Sequence, residues 1–286
     1  MKTVGKPASA PPLFNNWIWG AGGSHGAGHL GVLKRAETCK VTLQQDNHLG
    51  VSVGALIAAF ISNGYTSEQL VPIFIEILRS RRNPMNWMKA FRLADPVTIL
   101  LGGFFHLQPY MKEIVEKYNL KPNKRLRILA CDQRHEPVLF QGEDYDLAFA
   151  LAASGSVPGA FQPEWELRFG LPRMLVDGAL YHYNPTEFNE GPCIVSKFRP
   201  ATELPKEWET FADLYFHLRE VFFPLAGNSR YVDTTKHIVI ESGLPHVAGL
   251  NLGIKDETIH AMVQNGFDSA AVLEKAIADG RVAVEK

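Results

Sequence analysis

The stretch Gly50-Val51-Ser52-Val53-Gly54, followed at once by the apolar run Ala55-Leu56-Ile57-Ala58-Ala59-Phe60-Ile61, decides how the chain is read. A G-x-S-x-G pattern ahead of a buried helix is the pattern of a nucleophile elbow, in which a strand turns sharply into a helix at the serine. Side chains beside that turn would clash, so Gly50 and Gly54 are what the geometry asks for. Ser52 Oγ then lies at a helix N-terminus, where free N–H groups and the helix dipole favour an alkoxide-like nucleophile or an oxyanion. The alternative is a serine that does no more than cap a core helix.

Upstream, Leu13-Phe14-Asn15-Asn16-Trp17-Ile18-Trp19 reads as a first strand running into Gly20-Ala21-Gly22-Gly23-Ser24-His25-Gly26-Ala27-Gly28, with a helix continuing through His29 to Ala36. Strand, glycine loop and helix in that order point consecutive backbone N–H groups at an anion. Two nucleotide readings compete. Gly26-Ala27-Gly28-His29-Leu30-Gly31 formally matches G-x-G-x-x-G, but it lies within the expected helix, and Asp46 is an indifferent ribose ligand. A P-loop needs Gly-Lys-Ser/Thr after its second glycine, which this loop lacks.

The totals exclude several classes. With 286 residues, 46% of them hydrophobic and 21% charged, the chain is long enough for one large domain. Lys plus Arg number 29 against 30 for Asp plus Glu, a net charge of -1 that gives no electrostatic case for nucleic acid. Cys39, Cys131 and Cys193 lack metal-site spacing and read as core thiols of a reducing compartment, so no metal is expected. Residues 1–12, ending in Ala8-Ser9-Ala10-Pro11-Pro12, lack the apolar core of a signal peptide and read as a disordered tail, which places the protein in the cytoplasm. The longest apolar run, Val53 to Ile61, is far short of the ~20 residues of a membrane span.

Further along, Arg125 to Asp132 and Pro137 to Gln141 read as strands, and Asp146 to Ala153 as a helix leading into Ser154-Gly155-Ser156-Val157-Pro158-Gly159-Ala160-Phe161. Met174-Leu175-Val176-Asp177-Gly178-Ala179-Leu180 is an apolar strand that delivers one carboxylate to the end of a sheet, Gly178 permitting a close turn behind it. Asp177 as a plain turn cap is the alternative. Cys193 to Ser196 and His237 to Ile240 read as strands. Phe211 to Phe223 reads as a helix with an aromatic face, and Lys255 to Ile277 as a closing helix interrupted at Gly266.

Taken together, Gly22-Gly23-Ser24-His25-Gly26 with His29-Leu30-Gly31-Val32-Leu33, then Gly50 to Leu56, then Asp177-Gly178-Ala179, resemble the bacterial patatin-like phospholipases, over roughly Trp17 to Leu180. Asn63 to Leu70, after the elbow helix, resembles the family's continuation. The order has a physical meaning: the stretch from Gly26 to Gly50 leaves no room for the strands that precede the serine in an ordinary α/β-hydrolase. The resemblance implies an α/β fold of three layers, with a central mostly parallel sheet, in a single domain over 13–286 that includes a helical insertion at 79–119 and a C-terminal helix at 255–277. It implies a Ser-Asp dyad of Ser52 and Asp177, an oxyanion hole from the backbone of Gly22, Gly23 and Ser24, and no cofactor. Lipid acyl esters, led by phospholipids or lysophospholipids, are the implied substrates. The other readings are an esterase or thioesterase on neutral lipids and a lipid-binding or regulatory module of weak activity.

A Ser-His-Asp triad competes for the same serine, since ten histidines are present. His182, His237, His246 and His260 follow Asp177, none in a diagnostic motif, and His182 lies nearest in sequence. The chain also departs from the family pattern: Ala21 stands where a third glycine is usual, and His25 where a Lys or Arg supplies fixed charge. Val51 and Val53 are bulkier than the usual neighbours of the serine. The aromatics of Arg79 to Tyr118 read as satellite core packing, with an acyl cleft or a bilayer contact as the alternatives; Phe104, Phe105 and Leu107 are the residues on which a peripheral membrane contact, at the inner face, would rest. Nothing in the sequence speaks to oligomeric state.

Overall fold

The computed structural model describes residues 14–79, 92–93, 103–199, 232–244, 247 and 254–285. The first strand, β1 (Asn16–Trp19), lies in the middle of a sheet whose five parallel members run in the order β11 (Ile238–Ser242), β10 (Cys193–Phe198), β1, β2 (Asn47–Val51) and β5 (Leu126–Asp132). Three antiparallel strands extend it: β6 (Pro137–Gln141) and β9 (Leu171–Asp177) both pair with β5, and β8 (Glu164–Arg168) pairs with β9. Strands covered on both faces must be apolar throughout, and Trp17, Ile18, Trp19, Ile128, Leu129, Ile194 and Val195 are all buried.

Helices α1 (Gly26–Thr38), α2 (Val53–Ser62), α3 (Ser67–Arg79), α4 (Gln108–Lys117), α5 (Leu147–Gly155), α6 (Asp256–Ser269) and α7 (Val272–Ala278) surround this sheet. α2 is apolar on every side and therefore belongs in the interior. All its residues from Gly54 to Ser62 are buried, each Leu, Ile or Phe contributing roughly 1.5–3 kcal/mol. The sheet with its flanking helices is the three-layer α/β arrangement expected, with β9, β8 and β6 as the antiparallel exceptions.

Three expectations need correction. The C-terminal helical run breaks after Ser269, not at Gly266, which stays helical because it packs face to face with α1. A Cβ at Gly266 would lie 2.0 Å from the Gly28 carbonyl oxygen, and one at Gly31 would lie 1.9 Å from that of Val263. Gly28 and Gly31 of α1, with Gly266, thus let two helices touch through their backbones. The segment 79–119 carries strands as well as a helix: β3 (Arg92–Leu93) and β4 (Gly103–His106) form a small sheet with β7 (Gly159–Phe161) ahead of α4. Leu107 is buried and Phe105 packs against the main core, so these two do not offer an apolar surface to a membrane. The expected tail 1–12, the helix 211–223, His246 and the side chain of Phe104 fall outside the described residues.

Candidate active site

The β-ladder brings the two expected functional residues together. Ile128 and Leu129 of β5 pair with Gly50 and Val51 on one side and with Phe140 and Leu139 on the other. Further along β5, Ala130 and Cys131 pair with Val138 and Pro137 of β6 and also with Asp177 and Val176 of β9. Because β6 occupies one edge of β5 throughout, β2 and β9 must share the other. They enter that edge from opposite directions and meet end to end, β2 stopping at Val51 opposite Leu129 and β9 at Asp177 opposite Ala130. Ser52 follows β2 directly, and its Oγ donates a 2.7 Å hydrogen bond to Asp177 Oδ2.

The elbow is built by close backbone approach. Ser52 has φ 56 and ψ -125, a left-handed conformation that a non-glycine residue adopts at a cost of order 1–3 kcal/mol and that surrounding contacts must impose. A Cβ on Gly50 would lie 2.3 Å from Ala55 Cα, and one on Gly54 would lie 2.0 Å from the Trp19 carbonyl oxygen. Although Ser52 is the N-cap of α2, its side chain makes no capping bond. The capping reading therefore fails: the hydroxyl is committed to Asp177. For Asp177 both readings hold at once, since Oδ1 accepts from the Ala179 N–H at 2.8 Å while Oδ2 receives the serine. Asp177 is 3% exposed and Ser52 half-buried, so the carboxylate is shielded while the hydroxyl remains reachable.

Beneath the pair, the 154–161 segment contributes a residue to which sequence reasoning gave no role. Ser154 Oγ accepts from the Ser52 N–H at 2.9 Å and donates to the Leu129 carbonyl at 2.6 Å, clamping the elbow to β5. The Asp177 N–H donates to the Ser156 carbonyl at 3.0 Å. A serine in a Ser-Gly-Ser run has no signature of such a clamp; only the pairing of β2 with β5 brings Leu129 within its reach.

Gly22, Gly23 and Ser24 follow β1 at the same end of the sheet, next to Ser52, because Trp19 pairs with Gly50. Gly23, at φ 56, turns the chain into α1. A Cβ at Gly26 would lie 2.5 Å from Val53 Cγ2, which measures how tightly the loop abuts the elbow. Ala21 is buried in the same apolar cluster as Leu49, Val51 and Ala179, so the departure from glycine is taken up in packing. His25 is buried, its Nε2–H donating to the Val247 carbonyl at 2.9 Å, and burial lowers its pKa. The loop thus carries a neutral imidazole where the family pattern has a fixed cation. His29, inside α1, ties the loop from below: Nε2–H donates to the Gly20 carbonyl at 2.8 Å, and the Ser196 hydroxyl donates to Nδ1 at 2.7 Å.

Gly178 seals the other side, where a Cβ would lie 2.2 Å from the Leu129 carbonyl oxygen. Among the described residues, the histidines after Asp177 do not complete a triad. His182 Nδ1 accepts from the Asn184 N–H at 3.0 Å, His237 Nδ1 accepts from the Cys193 N–H at 3.1 Å, and His260 is exposed on α6.

A strand-end serine on a strained elbow is thus hydrogen-bonded to a buried aspartate beside a glycine-rich turn, at one end of the mostly parallel sheet of a three-layer fold. The family model described as patatin-like phospholipase matches residues 19–188, more than half of the chain, and the chain belongs to that family. Membership implies a lipid acyl hydrolase with a lipid substrate. Among solved structures, VipD from Legionella pneumophila matches with a TM-score of 0.52 and 14% identity, over 93% of this chain and 67% of that one, and shares the fold. ExoU, in its heterodimeric complex with SpcU from the type III secretion system of Pseudomonas aeruginosa, matches with a TM-score of 0.48 and 15% identity, over 94% of this chain. The chain spans about half of the ExoU chain, 53% of its length. No curated protein sequence matches it. No helix among the described residues is long and apolar enough to cross a membrane.

Proposed function

We propose that the chain hydrolyses carboxylic esters of phospholipids or lysophospholipids through a Ser52-Asp177 dyad and an acyl-enzyme. The observation that carries this reading is the 2.7 Å hydrogen bond from Ser52 Oγ to a buried Asp177 carboxylate whose other oxygen is held by a backbone N–H. An aspartate is a weak base in water; a short, shielded bond makes it a useful one. Asp177 takes the hydroxyl proton as Ser52 Oγ attacks the acyl carbonyl, and returns it to the departing alkoxide as the acyl C–O bond breaks. Water then gives a proton to Asp177 while its oxygen attacks the acyl-enzyme, and collapse restores the Ser52 hydroxyl and releases the acid. Backbone N–H groups of Gly22, Gly23 and Ser24 are the oxyanion donors in this scheme, each contributing about 2.7–4 kcal/mol in comparable sites. No metal or cofactor enters any step. Among lipid esters, a phospholipid substrate rests on the family; the neutral His25 means that the loop adds no fixed cation for a phosphate group.

The test is fluorophosphonate labelling, with mass spectrometry of the adduct, alongside turnover of p-nitrophenyl butyrate and of lysophosphatidylcholine. Wild type is expected to label at Ser52. Ser52→Ala should lose labelling and at least about 10³-fold in turnover, and Asp177→Asn should lose labelling rate to a similar order. A folded wild type that neither labels nor turns over either ester would instead favour the lipid-binding module.

A further inference from the structure

The β8–β9 hairpin carries an apolar surface that the chemistry above does not use. Trp165, Leu167, Phe169 and Leu171 are 59%, 78%, 93% and 71% exposed, by far the most exposed large apolar group among the described residues. They occupy both faces of the hairpin, which meet at its tip. Paired residues of an antiparallel ladder share a face, so Trp165 with Met174 and Leu167 with Pro172 make one apolar face, while Glu166 with Arg173 and Arg168 with Leu171 make the other. Phe169 and Gly170, at φ 52 and 78, form the tight two-residue turn at the tip.

Charge is segregated along the same hairpin. At its root, Arg173 is held between Asp132 at 3.2 Å and Glu166 at 3.3 Å, which ties the root's charges to one another and stiffens it. At the tip, in Leu167-Arg168-Phe169-Gly170-Leu171-Pro172, Arg168 is the one charge, its guanidinium 5.5 Å from the centre of the Phe169 ring. Aromatic and aliphatic side chains around a single exposed cation suit the boundary between acyl chains and anionic headgroups.

Direction adds a second argument. β9 runs back from the tip to Asp177, antiparallel to β5, so the hairpin projects beyond the sheet end that carries Ser52 and the glycine loop. At about 3.3 Å per residue the tip stands roughly 20 Å past Asp177. A protein partner is a poorer fit. Two aromatic rings of about 150–250 Å² and two leucines, already partly covered, fall below the about 800 Å² per side of a stable interface.

We propose that this hairpin docks the protein on a phospholipid bilayer, Leu167, Phe169 and Leu171 entering the interfacial region and Arg168 meeting anionic headgroups, so that the bilayer faces the Ser52 end of the sheet. The proposal rests on the reading that the substrate is a membrane lipid. Its test uses sedimentation with vesicles of phosphatidylcholine, with or without phosphatidylglycerol, together with turnover of soluble p-nitrophenyl butyrate and gel filtration. The combined Leu167→Ser, Phe169→Asn, Leu171→Ser variant should lose at least about 10-fold in vesicle partitioning, with soluble-ester turnover unchanged. Arg168→Ala should lose about five-fold on vesicles with phosphatidylglycerol and nothing on phosphatidylcholine alone. Equal partitioning of the combined variant and wild type would overturn the proposal. So would a wild-type dimer without vesicle binding that the combined variant converts to monomer, which would make the tip a contact between copies. Hairpin-dependent partitioning without turnover of any ester would sink the hydrolase reading and leave docking standing; ester turnover without hairpin-dependent partitioning would do the reverse.

Discussion

The two ends of strand β9 are seven residues of one chain in opposite physical situations. At Asp177 the carboxylate is buried and backbones sit so close that single methyl groups are excluded; at Leu171 the side chain faces solvent. A glycine flanks each end, and the same change at each measures the difference. A Cβ at Gly178 would lie 2.2 Å from the Leu129 carbonyl oxygen, whereas one at Gly170 would meet nothing within 4 Å and face only an unfavourable φ of 78. Gly178→Ala should therefore cost about 3 kcal/mol or more and displace Asp177, with turnover falling about 10²-fold. Gly170→Ala should cost about 1–2 kcal/mol and leave soluble-ester turnover intact. Urea unfolding of the two variants checks the pair. Equal costs would mean that the crowding at the site end is relieved by small backbone shifts.

The buried end should also be the acid-sensitive one. His29 and His48 are buried beside Trp19, and burial lowers each pKa to about 4. Both are neutral donors and acceptors in this packing: His48 Nε2–H donates to the Leu43 carbonyl at 3.0 Å and Nδ1 accepts the Trp19 indole N–H at 3.2 Å. Below pH 6.5 the unfolded chain takes up protons that the folded imidazoles refuse until about 4, so stability falls across that window, by up to about 3 kcal/mol per histidine. Asp46 opposes this. Burial raises its pKa from 3.8 to about 6, so the folded state binds a proton first and gains stability as pH falls through that range, by up to about 3 kcal/mol. Glu164, whose pKa burial raises from 4.5 to about 7, opposes it in the same way, while burial also lowers the pKa of His25, His182 and His237. Five histidines against two carboxylates predict a net loss between pH 6.5 and about 4, and a steeper one in Asp46→Asn. Urea melts at pH 7.5 and 4.5 on both proteins read it out.

Much of the site was legible because sterics write themselves into glycine. Gly50, Gly54 and Gly178 announced backbone contacts, and with them the strand ends that carry Ser52 and Asp177. What the sequence left hidden depends on pairing across the sheet. Nothing in Met174 to Asp177 says that β9 runs antiparallel to β5 and meets β2 end to end, and without that meeting Ser154 has no evident task. Gly266 misled for a related reason: a glycine in a helical pattern reads as a break until the partner helix is known. The apolar alternation of Trp165, Leu167 and Phe169 has the period of a half-buried strand, so an exposed hairpin and a core strand look alike in sequence, whereas Phe105 and Leu107 read as core and are packed inside. Ser154→Ala tests the pairing-dependent part. It strands the Leu129 carbonyl and frees the Ser52 N–H, and should cost about 1–3 kcal/mol with a roughly 10- to 100-fold loss in kcat and little change in KM.

The smallest expected effect has the opposite sign. Phe169 holds φ 52 at the hairpin tip, where it is 93% exposed. Asparagine tolerates that conformation far better than a large aromatic residue, and asparagine before glycine is the preferred pair for a two-residue turn of this hand. Among the described residues the ring's partner is the Arg168 guanidinium, a contact worth little in solvent. Phe169→Asn should consequently stabilise the protein by about 0.5–1 kcal/mol, a rise of a few degrees in Tm, while lowering vesicle partitioning. The two readouts must move in opposite directions if the tip serves a membrane. A phenylalanine that weakens the fold where it sits is explained by what it does outside the fold, and a drop in Tm for Phe169→Asn would show instead that the ring belongs to the packing of the chain itself.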